Sequence, residues 1–416
     1  MPSVTKPKTA NDLMKYKIVT LIILLLSLFC LGCDNNSPVE ISNIEGNELV
    51  VCNIDKISDT SNLKLSKVAK SCKMVSLKDD PALEPEDHNI GQIRVSKNYL
   101  VIMPVRRPAL LYSRKGEFIK RLVGDGKQNY LKAMDARIDS KEGKVYIQIP
   151  QYNELLVFGL KDQSFNRLTW AIEKTMHYML VDHNTLFGIT HKENNRYWGY
   201  LQPVTSPRAE LLSARYQNLL HPWFPVKNKI LADGEKIILT PYKRNDTSYY
   251  FNPDTKTYTP FLVCCSEKHS NNPHHVLQNI ARYGPEKKKV FENKPFNYKY
   301  LKLSANNYYI YLLNWNVHKK SQLIVIDQNA QHAFYLKWII NDFMGNTKIY
   351  PMASKNFRLE ETNGYLTFQY TNQEFSAMVK NIHEENRSHT SINAWLPQNN
   401  NSEKNVFRVI LICNLK

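Results

Sequence analysis

The chain lacks a hydrophobic run long enough to cross a membrane as a helix. Its longest apolar stretch, residues 18–32, has 15 residues, whereas a spanning helix needs about 20. Glycine is scarce, at 14 of 416 residues, and patterns typical of amphipathic helices are rare. The first absence argues against a membrane span. The rarity of helical patterns argues against a helical fold.

Familiar catalytic motifs are also lacking. The sequence contains no GxSxG elbow, P-loop, HExxH or EF-hand loop. The stretch HEENR at residues 383–387 lacks the second histidine and is predicted to lie in a polar surface loop. These absences favour a non-catalytic protein, and we predict no cofactor.

Of the seven cysteines, the five that follow Cys33 form no CxxC pair. Residues 264–275, CCSEKHSNNPHH, gather two cysteines and three histidines, but adjacent cysteines fit one tetrahedral zinc site poorly. We therefore predict no metal site and interpret this stretch as a polar surface loop. Cys52 and Cys72 lie in neighbouring apolar segments and are candidates for a disulfide in an oxidising compartment.

The apolar stretch 18–32 has the layout of an export signal. Lys15 and Lys17 precede it, and it ends in CLGC before the polar DNNSP. This ending resembles a bacterial lipobox, although Cys30 stands where lipoboxes usually carry leucine. The resemblance implies cleavage before Cys33 and a diacylglycerol on its thiol, which would anchor the protein to the membrane. An uncleaved anchor and a simple signal peptide are the alternatives.

The predicted organisation follows from this interpretation. Residues 1–32 form the lipoprotein signal, with Met14 as an alternative start, and residues 33–45 form a tether. Residues 46–416 form the folded domain. The expected location is the cell envelope, with the lipid in the outer membrane and the protein on its periplasmic or surface face.

The formal charge of the chain is +17, and its basic residues are dispersed. Proteins that bind nucleic acid usually concentrate this charge on one helix or face, so we predict no nucleic-acid partner. Attraction to anionic glycans or lipid head groups is one use of the charge, and a merely solvated basic surface is the other interpretation.

Short runs rich in Val, Ile, Tyr and Phe, separated by turn residues, dominate the rest of the chain. The first group of four candidate strands is IRV (93–95), YLVIMP (99–104), ALLYS (109–113) and FIKRL (118–122). The second group is ARI (136–138), VYIQI (145–149), ELLVFG (154–159) and FNRLT (165–169). The turn RKGE, with Gly116, separates the last two strands of the first group. Groups of four strands at similar spacing are typical of propeller blades.

The strongest strand recurs six times, with starts at residues 99, 145, 185, 236, 308 and 364. The longest interval predicts a polar insertion at about residues 264–297. Apolar runs at both ends of the chain are expected to close the ring within one blade: residues 49–54 and 72–77 at the start and residues 407–413 at the end. The fold class is therefore all-β, a six-bladed β-propeller of four-stranded antiparallel blades. Two stacked β-domains are the alternative.

Residues 72–169 resemble the six-bladed β-propeller lipoproteins of the Bacteroidetes, which are related to NHL-type propellers. The resemblance rests on CKMVSL, on IGQIRVSKNYLVIMP, and on the turn with Gly116 and Phe118 followed by the link with Gly124 and Gly126. The link departs from the family pattern, since DGKQNY replaces the usual Gly-Pro-Gly-Glu character. The resemblance implies a propeller at the cell envelope and no defined activity.

Arg106 and Arg107 follow the second strand of the first clear blade and are the candidate ligand-binding residues. Loops at blade ends commonly line a propeller's funnel or face, where arginine can bind a carboxylate or sulfate bidentately. An ordinary solvent-facing turn beside Pro108 is the alternative.

Two functions stay open. The favoured one is a non-catalytic binding or scaffolding module for a protein or glycan partner. The other is an envelope lyase or hydrolase that acts on an anionic glycan at a site in the central funnel, assembled from several blades without a linear motif.

Overall fold

The computed structural model is built from β-strands in six sheets, with only short helical elements among the described residues. The residues that the structure describes are 37–44, 46–78, 90–104, 107–122, 135–139, 143–149, 154–162, 164–169, 175–180, 185–192, 196–206, 208, 210–211, 230–233, 236–239, 247–252, 254–265, 298–314, 322–349, 360–362, 364–385 and 407–416. The all-β, six-bladed propeller predicted from the sequence is confirmed.

An N-terminal stretch, residues 39–64, precedes the blades, and we call it the edge segment. It contains β1 (Val39–Ile44), β2 (Asn47–Asn53), a 3-10 turn (Ile54–Lys56) and β3 (Thr60–Lys64). Helix α1 (Leu65–Val68) and strand β4 (Ala69–Ser76) follow it.

Blades 1 to 3 follow one another along the chain. Blade 1 contains β5 (Ile90–Val95), β6 (Tyr99–Pro104), β7 (Ala109–Ser113) and β8 (Phe118–Leu122). Blade 2 contains β9 (Asp135–Asp139), β10 (Lys144–Ile149), β11 (Glu154–Gly159) and β12 (Phe165–Thr169). Blade 3 contains β13 (Thr175–Leu180), β14 (Thr185–Lys192), β15 (Arg196–Pro203) and β16 (Glu210–Leu211).

Blades 4 to 6 combine later strands with strands from the N-terminal part. Blade 4 contains β17 (Ile230–Asp233), β18 (Lys236–Leu239), β19 (Thr247–Asn252) and β20 (Thr257–Cys265). Blade 5 contains β21 (Tyr298–Ala305), β22 (Tyr308–Asn314), β23 (Gln322–Asp327), β24 (His332–Asn341) and the short β25 (Thr347–Ile349). Blade 6 contains β26 (Glu360–Thr362), β27 (Tyr365–Thr371), β28 (Phe407–Leu415) and β4.

Residues 72–76 and 407–413 meet in blade 6, as the sequence predicts. The expectation that residues 49–54 also close the ring is wrong, because their strand β2 pairs with β20 of blade 4. Strand β4 pairs antiparallel with β28, and Cys72 lies opposite Cys413 in this register. The two residues form a disulfide. The predicted pairing of Cys72 with Cys52 is therefore wrong, because the register of β4 places Cys72 beside the last strand while β2 carries Cys52 to blade 4.

The edge segment covers the outer edges of two further blades. Strand β2 pairs in parallel with β20 of blade 4, and β1 pairs with β2. Strand β3 pairs in parallel with β24 of blade 5. The segment that the sequence assigns to a tether, residues 33–45, thus contains a strand from Val39 onward, because Val39 is fully buried opposite Cys52.

Facing sheets bury apolar cores between the blades. Between blades 1 and 2, for example, Val101 and Leu111 pack against Val145 and Ile147. Blades 6 and 1 share another core, and blades 5 and 6 share the largest one. A fully buried aliphatic side chain contributes about 1.5–3 kcal/mol to the free energy of folding. Burial at these interfaces therefore stabilises the contacts between neighbouring blades.

Gly116 shows why one predicted turn needs glycine. It adopts φ +87°, and a Cβ atom there would lie 2.1 Å from the carbonyl oxygen of Ser76 in blade 6. The backbone N–H of Lys78 donates to the carbonyl of Gly116 at 2.8 Å. The turn of blade 1 therefore packs directly against the end of β4, where only glycine fits.

Two smaller predictions, on the stretch HEENR and on the start of the insertion, are wrong in part. Helix α2 (Asn372–Glu385) contains the first three residues of HEENR, which were predicted to lie in a loop. Thr371 and Glu374 form a capping box at its start, with N–H···O distances of 2.9 and 3.0 Å, which explains why a helix begins there. Cys264 and Cys265, predicted to open the insertion, end strand β20, and residues 266–297 lie outside the described residues.

Candidate functional site

The two ends of the propeller ring differ in their connections. The first strands of neighbouring blades contact one another, β5 with β9, β9 with β13, and β21 with both β17 and β26, so these strands surround the axis. We call the end at which the chain enters these first strands the loop end, and the opposite end the turn end. Because successive strands within a blade are antiparallel, second and third strands are also joined at the loop end.

Connections at the turn end between first and second strands are short, such as residues 96–98, 306–307 and 363–364. Connections that start and finish at the loop end include residues 212–229, 266–297 and 372–406. Functional residues concentrate on loops that a rigid scaffold positions. The candidate site is therefore at the loop end.

The sequence of these connections is unevenly charged. Five of the connections together contain fifteen Lys or Arg and four Asp or Glu. We call them the basic connections, and they are residues 212–229, 240–246, 266–297, 315–321 and 350–359. At the turn end, the connections between first and second strands and between third and fourth strands together contain seven Lys or Arg and six Asp or Glu. The link 77–89 into blade 1 is acidic, with five Asp or Glu and one Lys. Residues 372–406, also at the loop end, contain three Lys or Arg and four Asp or Glu. Positive charge is thus concentrated in the connections between β16 and β26.

Arg106 and Arg107 belong to the loop end of blade 1, because they join β6 to β7. Arg106 lies outside the described residues, and Arg107 is half-buried next to Pro108. The structure therefore places the predicted pair at the end with the longer connections.

Arg94 is a buried arginine that the sequence analysis missed. It lies on β5, is 7% exposed, and its Nε donates to the carbonyl of Ala136 on β9 at 3.0 Å. Its terminal nitrogens donate to the carbonyl of Ile93 at 3.1 Å and to Oε1 of Gln92 at 2.9 Å. Its position between Ile93 and Val95 in an apolar strand was the signal in the sequence that could have indicated a buried arginine. The bond to Ala136 joins the first strands of blades 1 and 2, and the other two bonds hold the guanidinium against β5, so Arg94 shapes the wall of the ring.

Arg114 has a similar structural role at the turn between β7 and β8. Its guanidinium carbon lies 4.7 Å from the centre of the Tyr365 ring of blade 6. Burial lowers the pKa of Arg114, and the nearby Tyr365 opposes this effect. The contact links blade 6 to blade 1 through a cation–π interaction.

Three cysteine thiols lie where the edge segment meets blade 4. Cys52 and Cys264 are fully buried, and Cys265 is half-buried. The Sγ atom of Cys265 lies 3.6 Å from the carbonyl oxygen of Cys52, to which it donates. Within the described part of the chain, no three His, Cys, Asp or Glu side chains are grouped as metal ligands.

The remaining predicted features lie where the structure gives no description. Cys33 falls outside the described residues, as do His269, His274 and His275. None of the described helices has the length and hydrophobicity that a membrane crossing requires.

Comparison with known proteins identifies a family and a fold. Residues 40–377 match a family model, DUF5128, that is described as a 6-bladed beta-propeller. A protein from Bacteroides fragilis that is described as exported has a TM-score of 0.55 at 11% identity, with 86% of this chain and 99% of that protein covered. A DUF4221 member from Bacteroides vulgatus has a TM-score of 0.42 at 9% identity, with 84% and 97% covered. None of the curated proteins matches this chain.

Proposed function

Because the chain belongs to the DUF5128 family of six-bladed β-propellers, we propose that it is a non-catalytic binding or scaffolding module of the cell envelope. In this proposal, a lipid on Cys33 holds the protein at the outer membrane. The propeller holds an anionic glycan or a protein partner at its loop end. The observation that carries the proposal is the difference in length and charge between the two ends of the ring.

The ring offers a rigid platform for such a partner. Its cores are buried between blades, and its ends are joined by the Cys72–Cys413 disulfide. The basic connections carry a large excess of Lys and Arg, which attracts anions and speeds their encounter with the protein. An anionic glycan of the envelope is therefore the partner that this charge favours, and a protein partner would be expected to present an acidic surface.

The envelope location has two supports. The Bacteroides fragilis protein with the similar fold is described as exported. The Cys72–Cys413 disulfide also favours a compartment outside the cytosol, because disulfides persist in oxidising environments.

Binding can be tested with an immobilised sulfated or uronic-acid polysaccharide and a neutral polysaccharide of similar size. We expect salt-sensitive binding to the anionic polymer only, since the attraction is electrostatic. The Lys319→Glu/Lys320→Glu variant changes one basic connection and should weaken binding at least about tenfold, a loss of about 1.4 kcal/mol. The Arg106→Glu/Arg107→Glu variant tests the predicted arginine pair in the same way.

The matched control reverses two exposed lysines of blade 1, Lys97→Glu/Lys115→Glu. Both lie in turns away from the loop end, and the net charge changes by the same amount. Equal weakening by the control and by the Lys319/Lys320 variant would show that net charge, and not the loop end, causes binding. Binding by neither polymer would leave an acidic protein as the partner to seek by cross-linking in intact cells.

The lipid anchor has its own test. Cys33→Ser should move the protein from the membrane fraction to the soluble fraction, because the thiol that would receive the lipid is removed. Unchanged fractionation would refute the anchor without affecting the binding proposal.

A further inference from the structure

The edge segment is an addition to blades that are already complete. Blade 4 has four antiparallel strands, β17 to β20, and β2 adds to the outer strand β20 in parallel. Blade 5 has its own four strands, and β3 adds to β24. Ring closure depends on β4 and β28, which come after the edge segment. The edge segment could therefore separate from the ring without opening it.

Separation would have a cost for the protein. It would expose the unpaired backbone of β20 and β24, and such edges promote pairing with other chains. It would also expose apolar side chains that are buried in the docked segment, including Val39, Val50 and Leu63. A covalent bond between the edge segment and blade 4 would prevent this.

Two cysteines are placed where such a bond can form. Cys52 on β2 is the register partner of Cys264 on β20. Both are fully buried and pack in the same apolar cluster, so their side chains are on the same face of the sheet. Neighbouring strands lie about 4.8 Å apart, and disulfides span Cα–Cα distances of about 4.4–6.8 Å.

We propose that Cys52 and Cys264 form a second disulfide, which locks the edge segment onto blade 4. Cys265 is excluded from this bond, because the next residue of a strand points to the opposite face. The Cys72–Cys413 disulfide indicates that the protein folds in a compartment where such bonds form.

The bond forms by thiol–disulfide exchange with a disulfide-bearing oxidant, such as an envelope thiol oxidase or oxidised glutathione. The thiolate of one cysteine attacks the oxidant's disulfide, which yields a mixed disulfide and releases one thiol. The thiolate of the other cysteine then attacks the mixed disulfide and releases the second thiol. The protein loses two protons and two electrons, and the oxidant gains them as two thiols. Because both cysteines are buried once the edge segment is docked on blade 4, the exchange occurs before β2 docks.

Peptide mapping tests this proposal on protein purified from the envelope fraction of expressing cells. The protein is denatured and alkylated without reductant, digested, and analysed by mass spectrometry before and after reduction. We expect the Cys52 peptide to be linked to the peptide that carries Cys264 and Cys265, with Cys265 alkylated. Linkage of Cys72 to Cys413 in the same digest verifies that native disulfides survive the procedure.

Two variants separate the neighbouring cysteines. In Cys265→Ser the link to Cys52 should persist, and in Cys264→Ser it should disappear. The proposal is overturned if Cys52 and Cys264 are both alkylated in the wild-type protein, or if the link is lost in Cys265→Ser and kept in Cys264→Ser.

Discussion

Breaking the disulfide between Cys72 and Cys413 should lower the stability of the propeller without abolishing its fold. We choose Cys72→Ala, because Cys72 is half-buried while Cys413 is fully buried. The substitution removes the bond and leaves little cavity, and it keeps the buried sulfur of Cys413 in place. The pairing of β4 with β28 and the core between blades 5 and 6 still hold the ring closed.

The magnitude follows from the length of chain that the bond closes. The two cysteines are 341 residues apart in the sequence. The chain-entropy estimate for a loop of this size is about 6 kcal/mol, and natural disulfides mostly contribute about 2–5 kcal/mol. We expect a loss of about 3–5 kcal/mol. For a domain of this size the unfolding entropy is about 0.8 kcal/mol/K, so the melting temperature should fall by about 4–6 °C.

Thermal unfolding followed by circular dichroism, at a fixed scan rate and without reductant, measures this shift. The matched control is Cys265→Ala, which removes another half-buried strand cysteine that takes no part in the bond. A shift of less than about 2 °C in Cys72→Ala, or one equal to that of the control, would show that the disulfide contributes little to stability. The ring would then be closed by strand pairing and packing alone.

Four further predictions follow from single side chains. Gly116→Ala should lower the free energy of unfolding by about 2–4 kcal/mol, because its Cβ would lie 2.1 Å from the Ser76 carbonyl oxygen. Gly143→Ala, at φ +65° with no atom within 4 Å of the added Cβ, should lower it by about 1 kcal/mol. Similar losses for the two variants in urea unfolding would contradict this. Arg94→Met should lower the free energy of unfolding by about 2–4 kcal/mol, because it removes the donor to the Ala136 carbonyl. Arg167→Met, which breaks an exposed ion pair with Glu154, should lower it by less than about 1 kcal/mol. A larger loss in Arg167→Met than in Arg94→Met would disprove the role of Arg94. Thr371→Ala should cost about 1 kcal/mol and speed hydrogen exchange at the start of α2, with Thr371→Ser as the conservative control, since it keeps the capping hydroxyl. Burial raises the pKa of Tyr308 to about 12, together with a hydrogen bond to Asp327 and the charge of that carboxylate. The stabilisation that Tyr308 gives the folded state is therefore fully present below pH 10 and is lost as the pH rises from 10 to 12. Melting curves of Tyr308→Phe should show a smaller loss of stability over this alkaline range.

Much of the fold could be predicted because its signals are local. YLVIMP, ALLYS, FIKRL and ELLVFG were predicted as strands with the same bounds that the structure shows for β6, β7, β8 and β11. Each run is apolar or alternating and is bounded by turn residues. The six strongest predicted strands are the second strand of each blade, where both faces are covered and apolar residues are therefore continuous.

The candidate site was predictable only in part. The arginine pair at residues 106–107 was correctly assigned to the connection after the second strand of blade 1, because strand order alone decides that position. The concentration of basic residues at one end of the ring was missed, since it depends on which connections share an end. Arg94 was missed because its partner, the Ala136 carbonyl, lies in another blade.

The class of this protein could be predicted from local sequence signals: the number of repeats, the strand positions, the glycine turn and the closure of the ring by residues 72–77 and 407–413. These follow from side-chain periodicity and turn chemistry within a few residues. Two features required the three-dimensional fold: the bond of Cys72 to Cys413 and not to Cys52, and the cover that residues 39–64 give to blades 4 and 5. Such pairings join residues that are far apart in the chain. They are determined by strand register and by contacts between buried apolar side chains, and neither can be predicted from a local sequence pattern.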